Sequence, residues 1–471
     1  MNLLKKNLIY NGLLTVSQYI FPILTFPYVT RVLGADGIGT ANFALSIVDY
    51  AVLFANLGLL TVGVKEISSC NDDTDKRSNV FSQLVSLHII STIVVVIIYL
   101  LCCFLFDSFI EVQSMLLIGL SRIVLNIMVV EWLYQGMQNF KYVTVRSIIV
   151  RTIYVISIFI FVKDNSDYDI YFASTIALYV VNGMINWRYS KNYVQFRFTF
   201  SGIPIYAKSV ITWGAINILL SFYTTFNVLY LGIECGNAAV GYYTTAIKLY
   251  AIFLSMFTAY NTVFIPYLNS MYAKGDEENF KKTLSTSFDI VSEVSLPIIF
   301  FCITLAPEII TIIAGNGFER SIYPFQIIII QLLLVGLSQI MEMQILLTLG
   351  KNKEVFISTC ISALLSVVII VCCVPKFEEV ASAYAVAIPH IIECILLMYF
   401  ARKSLEFSFP IVKFLRNIFI YIPIIIICLL VKTLLINYIL VILVSTITCI
   451  VYFVAVQLLI TKNIKMLKLK K

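Results

Sequence analysis

The chain has 471 residues, of which 60% are hydrophobic and 13% are charged, and its formal net charge is +7. A soluble globular protein carries about twice that charged fraction, so the composition excludes a water-soluble fold and indicates an integral membrane protein. The apolar runs are continuous, which favours membrane-spanning helices over the alternating strands of a barrel.

The apolar runs predict an all-α polytopic membrane protein with about 14 transmembrane helices, because a run of about 20 residues can span a bilayer. The first run is too long for the apolar core of a signal peptide and has no small-residue cleavage site, which indicates a retained helix. The predicted helices cover residues 8–30, 40–64, 79–106, 114–136, 143–162, 169–189, 205–230, 238–266, 285–306, 323–349, 355–375, 380–401, 410–431 and 436–461.

A glycine-rich segment, Arg31–Gly39, separates the first two predicted helices. Its glycines at positions 34, 37 and 39 indicate a tight turn that larger residues would not permit. A second such segment, Leu231–Gly241, separates predicted helices 7 and 8, and the final glycines of the two segments lie 202 positions apart. If the pair Leu33-Gly34 corresponds to Leu231-Gly232, the second turn contains four extra residues.

This repeat predicts two six-helix lobes, residues 1–203 and 204–402, followed by helices 13 and 14 and a basic tail in residues 403–471. Because six is an even number, the two copies keep the same orientation and are related by an axis along the membrane normal. In this alignment Ser46 corresponds to Lys248, and Asp49 corresponds to Ala251. We therefore predict coupling chemistry in the first lobe and anion binding in the second.

The lysines and arginines predict the orientation in the membrane. If the N-terminus is cytoplasmic, 25 of the 33 basic residues lie in cytoplasmic segments, among them Arg146 and the basic tail, and 5 lie in outward segments. This bias follows the positive-inside rule and places both termini in the cytoplasm. The net positive charge is then explained by topology and requires no nucleic-acid partner.

Four segments stand out in order along the chain. They are Arg31-Val-Leu-Gly-Ala-Asp-Gly-Ile-Gly39, Glu131-Trp-Leu-Tyr-Gln-Gly136, Val240-Gly-Tyr-Tyr-Thr-Thr-Ala-Ile-Lys-Leu249 and Ala306-Pro-Glu-Ile-Ile310. These segments resemble landmarks of the Wzx-type O-antigen and polysaccharide repeat-unit flippases. Those flippases are bacterial polysaccharide biosynthesis proteins of the MOP (multidrug/oligosaccharidyl-lipid/polysaccharide) exporter superfamily, which also contains the MATE transporters. The resemblance extends over essentially the whole chain.

The resemblance implies a multi-pass protein of the bacterial inner membrane, surrounded by membrane lipids. Its substrate would be an undecaprenyl-diphosphate-linked oligosaccharide, such as the O-antigen unit of lipopolysaccharide, carried from the cytoplasmic to the outer leaflet by alternating access. A partnership with the polysaccharide polymerase machinery is left open.

Basic residues at bilayer depth are candidates for substrate binding, because an ionisable group there is costly unless it faces protein or water. Arg31, Arg122, Arg151 and Lys248 could form a cationic cavity between the lobes that binds a diphosphate. The alternatives are pairing with acidic neighbours and, for Arg31 and Arg151, snorkelling to the interface.

Acidic residues at the same depth are candidates for ion coupling or gating, by H⁺ or Na⁺, and no other cofactor is predicted. Asp49 lies near the middle of helix 2. Glu131 lies nine residues from Arg122 on the same helix, too far along it for direct contact, so it could pair with a neighbouring helix. Asp289 and Glu293 share a helix face, which we interpret as a solvated gate or interfacial face.

Two further acidic residues, Glu342 and Glu393, belong to the same intramembrane set but have no assigned role. The two histidines, His88 and His390, lie far apart in sequence, and no cysteine spacing is typical of a metal site, so no metal is predicted.

Two other functions make different demands on the sequence. A MATE-like exporter of small or drug-like molecules would require an acidic rather than a basic cavity. A membrane enzyme such as a glycan polymerase would require a catalytic outward loop, whereas the outward segments here are short and contain no histidine. The sequence therefore favours a transporter over an enzyme.

Overall fold

The computed structural model describes residues 3–70, 73–201, 203–405 and 409–458. Within these ranges the chain is helical and contains no strand, which confirms the all-α fold class. The basic tail that contains Lys462 and Lys471 lies outside the described residues.

The α-helices of the described residues follow one another through short connections. In chain order they are α1 Leu3–Asn56, α2 Leu59–Ser68, α3 Thr74–Leu105, α4 Gln113–Leu125, α5 Glu131–Gly136, α6 Phe140–Phe161, α7 Tyr168–Ser190, α8 Ile203–Ser221, α9 Thr225–Cys235, α10 Asn237–Ala273, α11 Glu277–Thr304, α12 Ala306–Ile313, α13 Ile322–Gln339, α14 Asn352–Ser404, α15 Ile411–Tyr421, α16 Pro423–Leu434 and α17 Tyr438–Val456. Short 3₁₀ segments cover Asp107–Val112, Asn126–Met128 and Glu319–Ser321, and a π-helical segment covers Ile340–Leu346.

Eleven helical segments of the described residues are long and apolar enough to cross a membrane. The protein is therefore a multi-pass membrane protein. Two of the helices, α1 and α14, each cover a pair of predicted spans and bend at a single residue, Gly34 in α1 and Glu378 in α14. The total of 14 spans stays a prediction.

The bend at Gly34 is much shorter than the turn predicted for Arg31–Gly39. Gly34 has φ 68° and ψ −177°, whereas the residues after it are already helical. Gly236 adopts nearly the same conformation, φ 83° and ψ 177°, and lies 202 positions later. The predicted correspondence of Gly34 with Gly232, and with it the four extra residues, is therefore wrong, since the repeat keeps one register through the bend.

Two glycines bring the repeated helices into close contact. A Cβ atom at Gly39 would lie 1.7 Å from the backbone oxygen of Asn237, and a Cβ atom at Gly241 would lie 1.9 Å from the backbone oxygen of Ala35. Ala35 and Asn237 are themselves 202 positions apart, so the two contacts are equivalent. Gly39 and Gly241 therefore permit backbone contact rather than a turn.

A side-chain hydrogen bond continues this symmetric contact. Asn42 Nδ2 donates to Thr244 Oγ1 at 3.2 Å, and these residues are again 202 positions apart. Asn42 thus meets its own counterpart, and the two glycine contacts are reciprocal, as a two-fold relation between the copies requires.

The chain divides into two compact units. The first contains Met1–Thr244 with Val367–Glu378, and the second contains Thr245–Ser366 with the described part of Glu379–Lys471. These units are defined by packing, whereas the lobes 1–203 and 204–402 are defined by the repeat, and the lobe boundaries stay a prediction. In the first unit, Phe81, Trp132 and Tyr134 are buried in a cluster that packs α3 against α5.

An extended strap, residues 194–201, leads from α7 towards α8 and lies along α3. Serine hydroxyls at every fourth position of α3 accept hydrogen bonds from every second backbone N–H of the strap. The pairs are Gln195 to Ser78 at 3.1 Å, Arg197 to Ser82 at 3.0 Å and Thr199 to Ser86 at 3.0 Å. The connection between the predicted lobes is thereby held against the first unit.

Candidate functional site

An ion pair between Asp49 and Arg122 joins the second half of α1 to α4. Arg122 Nη2 lies 2.7 Å from Asp49 Oδ1. The guanidinium carbon lies 3.7 Å from the ring centroid of Tyr179, which is a cation–π contact with α7. Asp49 and Arg122, predicted to serve ion coupling and substrate binding respectively, therefore form one pair.

The two members of this pair differ in exposure. The Asp49 side chain is 44% exposed, whereas the Arg122 side chain is 10% exposed. Arg122 Nη1 is buried and has no hydrogen-bond partner among the described side chains and backbone. The carboxylate of Asp49 is therefore the exposed member of the pair, and the guanidinium of Arg122 is the buried member.

A second ion pair joins Glu131, at the start of α5, to Arg146 in α6. Arg146 also donates to the side-chain oxygen of Asn186. The hydroxyls of Tyr134 and Tyr142 donate to the backbone and side-chain oxygens of Asn186 at 2.5 and 3.2 Å. Glu131 thus pairs with a neighbouring helix, as the sequence allowed. Arg146, predicted to lie in a cytoplasmic segment, is buried in this network, and its side of the membrane stays a prediction.

Both carboxylates line one cavity of 590 Å³ in the first unit. Neutral polar side chains line the same cavity, among them Asn56, Asn126, Asn217, Ser221 and Thr224. In the described part of the chain, neither Arg122 nor Arg151 belongs to its lining. This cavity therefore presents carboxylates, amides and hydroxyls, whereas the guanidinium groups balance the carboxylates from behind.

The other predicted basic residues lie apart from this cavity. Arg31 has an exposed side chain in the last turn before the bend at Gly34. Arg151 is half-buried on α6, within electrostatic range of Glu131. Lys248 is half-buried on α10 and belongs to the second unit. The cationic cavity between the lobes stays a prediction.

The acidic pair of α11 lies in the second unit. Asp289 Oδ2 lies 2.8 Å from Lys413 Nζ of α15. Glu293 is 1% exposed and accepts a hydrogen bond from Gln457 Nε2 at 3.0 Å. The solvated face predicted for this pair is wrong for Glu293, because α15 and α16 pack on α11 and Gln457 contacts its carboxylate.

Sequence reasoning missed three residues of the first-unit site. Arg146 is predicted only as one of the basic residues on the cytoplasmic side, whereas it is buried almost two turns inside α6 and pairs with Glu131. Asn56 and Asn126 were not selected, and Asn126 Nδ2 donates to Asn56 Oδ1 at 2.9 Å beside the cavity. Amides in otherwise apolar runs were the available signal, since polar groups at that depth require partners.

Comparison with solved structures defines the class of protein that shares this fold. Lipid II flippase MurJ in an inward closed conformation matches with a TM-score of 0.76, at 14% identity, over 94% of this chain and 98% of that one. A MATE protein in complex with MaD3S matches with a TM-score of 0.52, at 13% identity, over 85% and 95%. The chain therefore shares its helical fold with these two solved membrane proteins.

Sequence comparison then identifies the family. The model of the family described as polysaccharide biosynthesis protein matches residues 4–272, more than half of the chain. The chain belongs to the polysaccharide biosynthesis protein family.

Two relatives carry the name "Putative O-antigen transporter". The relative from Escherichia coli (strain K12) is 24% identical over 415 residues, which cover 85% of this chain and 97% of the relative. The relative from Shigella dysenteriae is 23% identical over 361 residues, which cover 74% and 88%.

Proposed function

We propose that the protein is a flippase that moves a lipid-linked oligosaccharide, such as an O-antigen repeat unit on undecaprenyl diphosphate, across the bacterial inner membrane. The observation that carries this proposal is the end-to-end match to a relative named for O-antigen transport, over 85% of this chain. The fold supports it, because the solved structure with a TM-score of 0.76 is a flippase of a lipid-linked substrate.

The physical task explains why such a substrate needs a protein. A diphosphate and several sugars cannot cross about 30 Å of hydrocarbon unless their polar groups stay solvated or bound. Alternating access meets this need by exposing one polar site first to one side of the membrane and then to the other. We propose that Arg31, Arg122, Arg151 and Lys248 contribute positive charge along this path.

Three further features belong to the same proposal. Both termini lie in the cytoplasm, because the basic residues are concentrated on that side. Transport is coupled to H⁺ or Na⁺ through intramembrane carboxylates, and the exported unit is passed to the polysaccharide polymerase machinery. Asp49 and Glu131 are the first-unit candidates for coupling, since they face the cavity.

A MATE-like exporter is the second candidate, and one observation favours it. The carboxylates of Asp49 and Glu131 line the first-unit cavity, as a site for a cationic substrate would require. Both are already paired with arginines, which removes most of the charge that would attract such a substrate.

Deletion of the gene tests the proposed function. If the protein is the flippase, lipid-linked repeat units accumulate in the inner leaflet of the inner membrane, where a cytoplasm-side label reaches them. Surface polysaccharide is then lost and returns on re-expression. Normal surface polysaccharide with reduced efflux of a cationic dye would overturn the proposal in favour of the MATE-like exporter.

A further inference from the structure

Most intramembrane carboxylates of this protein are paired with a permanent cation. An arginine or lysine keeps its charge across the physiological pH range. The pairs are Asp49–Arg122, Glu131–Arg146, Asp289–Lys413, Glu308–Lys432 and Glu379–Arg320.

Glu393 differs from them because the base that faces it is a histidine. His390 Nε2 lies 3.9 Å from Glu393 Oε2, one turn away on the second half of α14. Thr359, on the first half of the same bent helix, donates its hydroxyl to Glu393 Oε1 at 3.0 Å. The carboxylate is therefore fixed in position between a hydroxyl and a titratable ring.

The backbone determines which ring nitrogen exchanges the proton. His390 Nδ1 lies 2.8 Å from the carbonyl oxygen of Val386. A carbonyl oxygen only accepts, so Nδ1 must carry a hydrogen in the neutral ring as well as in the imidazolium. Protonation and deprotonation of the ring therefore occur at Nε2, which faces Glu393.

We propose that His390 and Glu393 form a proton-binding dyad in the second unit. Without the extra proton, the neutral imidazole and the carboxylate together carry one negative charge. A proton taken from water adds to Nε2 or to Glu393 Oε2, and the dyad becomes neutral overall. Because a net charge at bilayer depth is costly, this uptake changes the stability of the surrounding helices.

The dyad interacts with a π-helical segment of the second unit through Glu342. Glu342 lies within electrostatic range of Glu393 and belongs to the π-helical segment Ile340–Leu346. π-Helical turns are frequent at functional sites. Cys394 is a further titratable side chain near Glu393, beside Ser338 of α13. A proton on the dyad removes repulsion between Glu393 and Glu342, and so acts on the π-helical turn.

A proton fits this site better than a metal ion. In the described ranges, no group of three or more His, Cys, Asp and Glu side chains is placed to hold a metal. The dyad itself does not depend on the proposed function, whereas the use of its proton to drive transport does.

Histidine NMR tests the dyad directly, because the chain contains only two histidines. The sample is full-length protein in liposomes with ¹⁵N-labelled histidine, carrying His88→Gln so that His390 gives the only signals. We expect Nδ1 to remain protonated from pH 5 to 9 while Nε2 titrates. In Glu393→Gln, titration of Nε2 moves to lower pH by about 1–3 pH units, since the imidazolium loses the carboxylate that faces it.

Thr359→Val is the matched control, because it removes a hydrogen bond to Glu393 without removing a charge, and it should move the titration less. If His88→Gln does not fold, the wild-type protein with both histidines ¹⁵N-labelled is used instead. The His390 signals are then assigned by comparison with His390→Gln. The proposal is overturned if the neutral ring carries its proton on Nε2, if Nε2 does not titrate, or if Glu393→Gln leaves the titration unchanged. None of these outcomes depends on a transported substrate, so the proposed flippase function stands or fails separately.

Discussion

The Asp49–Arg122 pair combines two side chains of very different exposure. Arg122 is buried against Tyr179, whereas Asp49 faces the cavity. Removing one partner of a buried pair leaves an uncompensated charge, which costs about 3–5 kcal/mol when that charge is fully buried. The cost should therefore depend on which partner is removed.

We predict that Asp49→Asn destabilises the protein more than Arg122→Gln, because it leaves the buried guanidinium without its anion. The double variant should be more stable than the sum of the single changes implies, by about 1–3 kcal/mol. Thermal unfolding of the four purified proteins in detergent measures this. Additive effects would mean that the pair does not contribute as a unit, and Arg122→Lys serves as the control that keeps the charge.

At the residue scale, sequence reasoning found candidates but not their partners. Asp49 and Arg122 were both selected as intramembrane charges, yet 73 positions separate them, so no local pattern could reveal their contact. The sequence did not indicate the partners of Arg146 for a related reason. They lie on two other helices, Glu131 on α5 and Asn186 on α7, and no local pattern near Arg146 points to them.

At the scale of elements, the two repeated helices cross closely because Gly39 and Gly241 each carry a hydrogen atom where other residues carry a Cβ atom. A methyl group at Gly39 or Gly241 would overlap a backbone oxygen that no side-chain rotation can move away. The helices would have to separate, with loss of the packing between them. Overpacking of this kind costs about 1–3 kcal/mol and occasionally more.

We predict that Gly241→Ala lowers the unfolding temperature of the purified protein substantially and reduces its yield, and that Gly39→Ala does the same. Gly12→Ala is the matched control, because a Cβ atom there meets nothing within 4 Å. Alanine favours a helix over glycine by about 1 kcal/mol, so this control should be neutral or stabilising. Equal behaviour of all three variants would contradict the proposed crossing.

The sequence predicted the helical elements well, because long apolar runs leave the backbone few alternatives in a membrane. The sequence predicted the bends between helices less well. Three glycines within one segment look like a turn, but only Gly34 has a positive φ, and Gly39 is required by the backbone of Asn237, 198 positions away. The bend at Glu378 has φ 50° at a residue without glycine's freedom, so sequence signals did not indicate its geometry.

At the scale of the whole molecule, composition determined the class, whereas function required comparison. A chain with 60% hydrophobic residues belongs in a membrane whatever it transports. The first-unit cavity limits which part of a substrate it can bind. Its carboxylates, amides and hydroxyls suit sugars or cations better than a diphosphate. The repeat and the relatives together favour a lipid-linked oligosaccharide as the substrate.

Reconstituted transport is the most direct test of that central claim. Purified protein is placed in liposomes with undecaprenyl-diphosphate-linked oligosaccharide extracted from the deletion strain, and the lipid that reaches the opposite leaflet is measured by enzymatic labelling of its sugars. We predict that the wild-type protein moves this lipid much faster than protein-free liposomes do. A rate equal to that of the protein-free liposomes, with folded protein confirmed in the same membranes, would contradict the account.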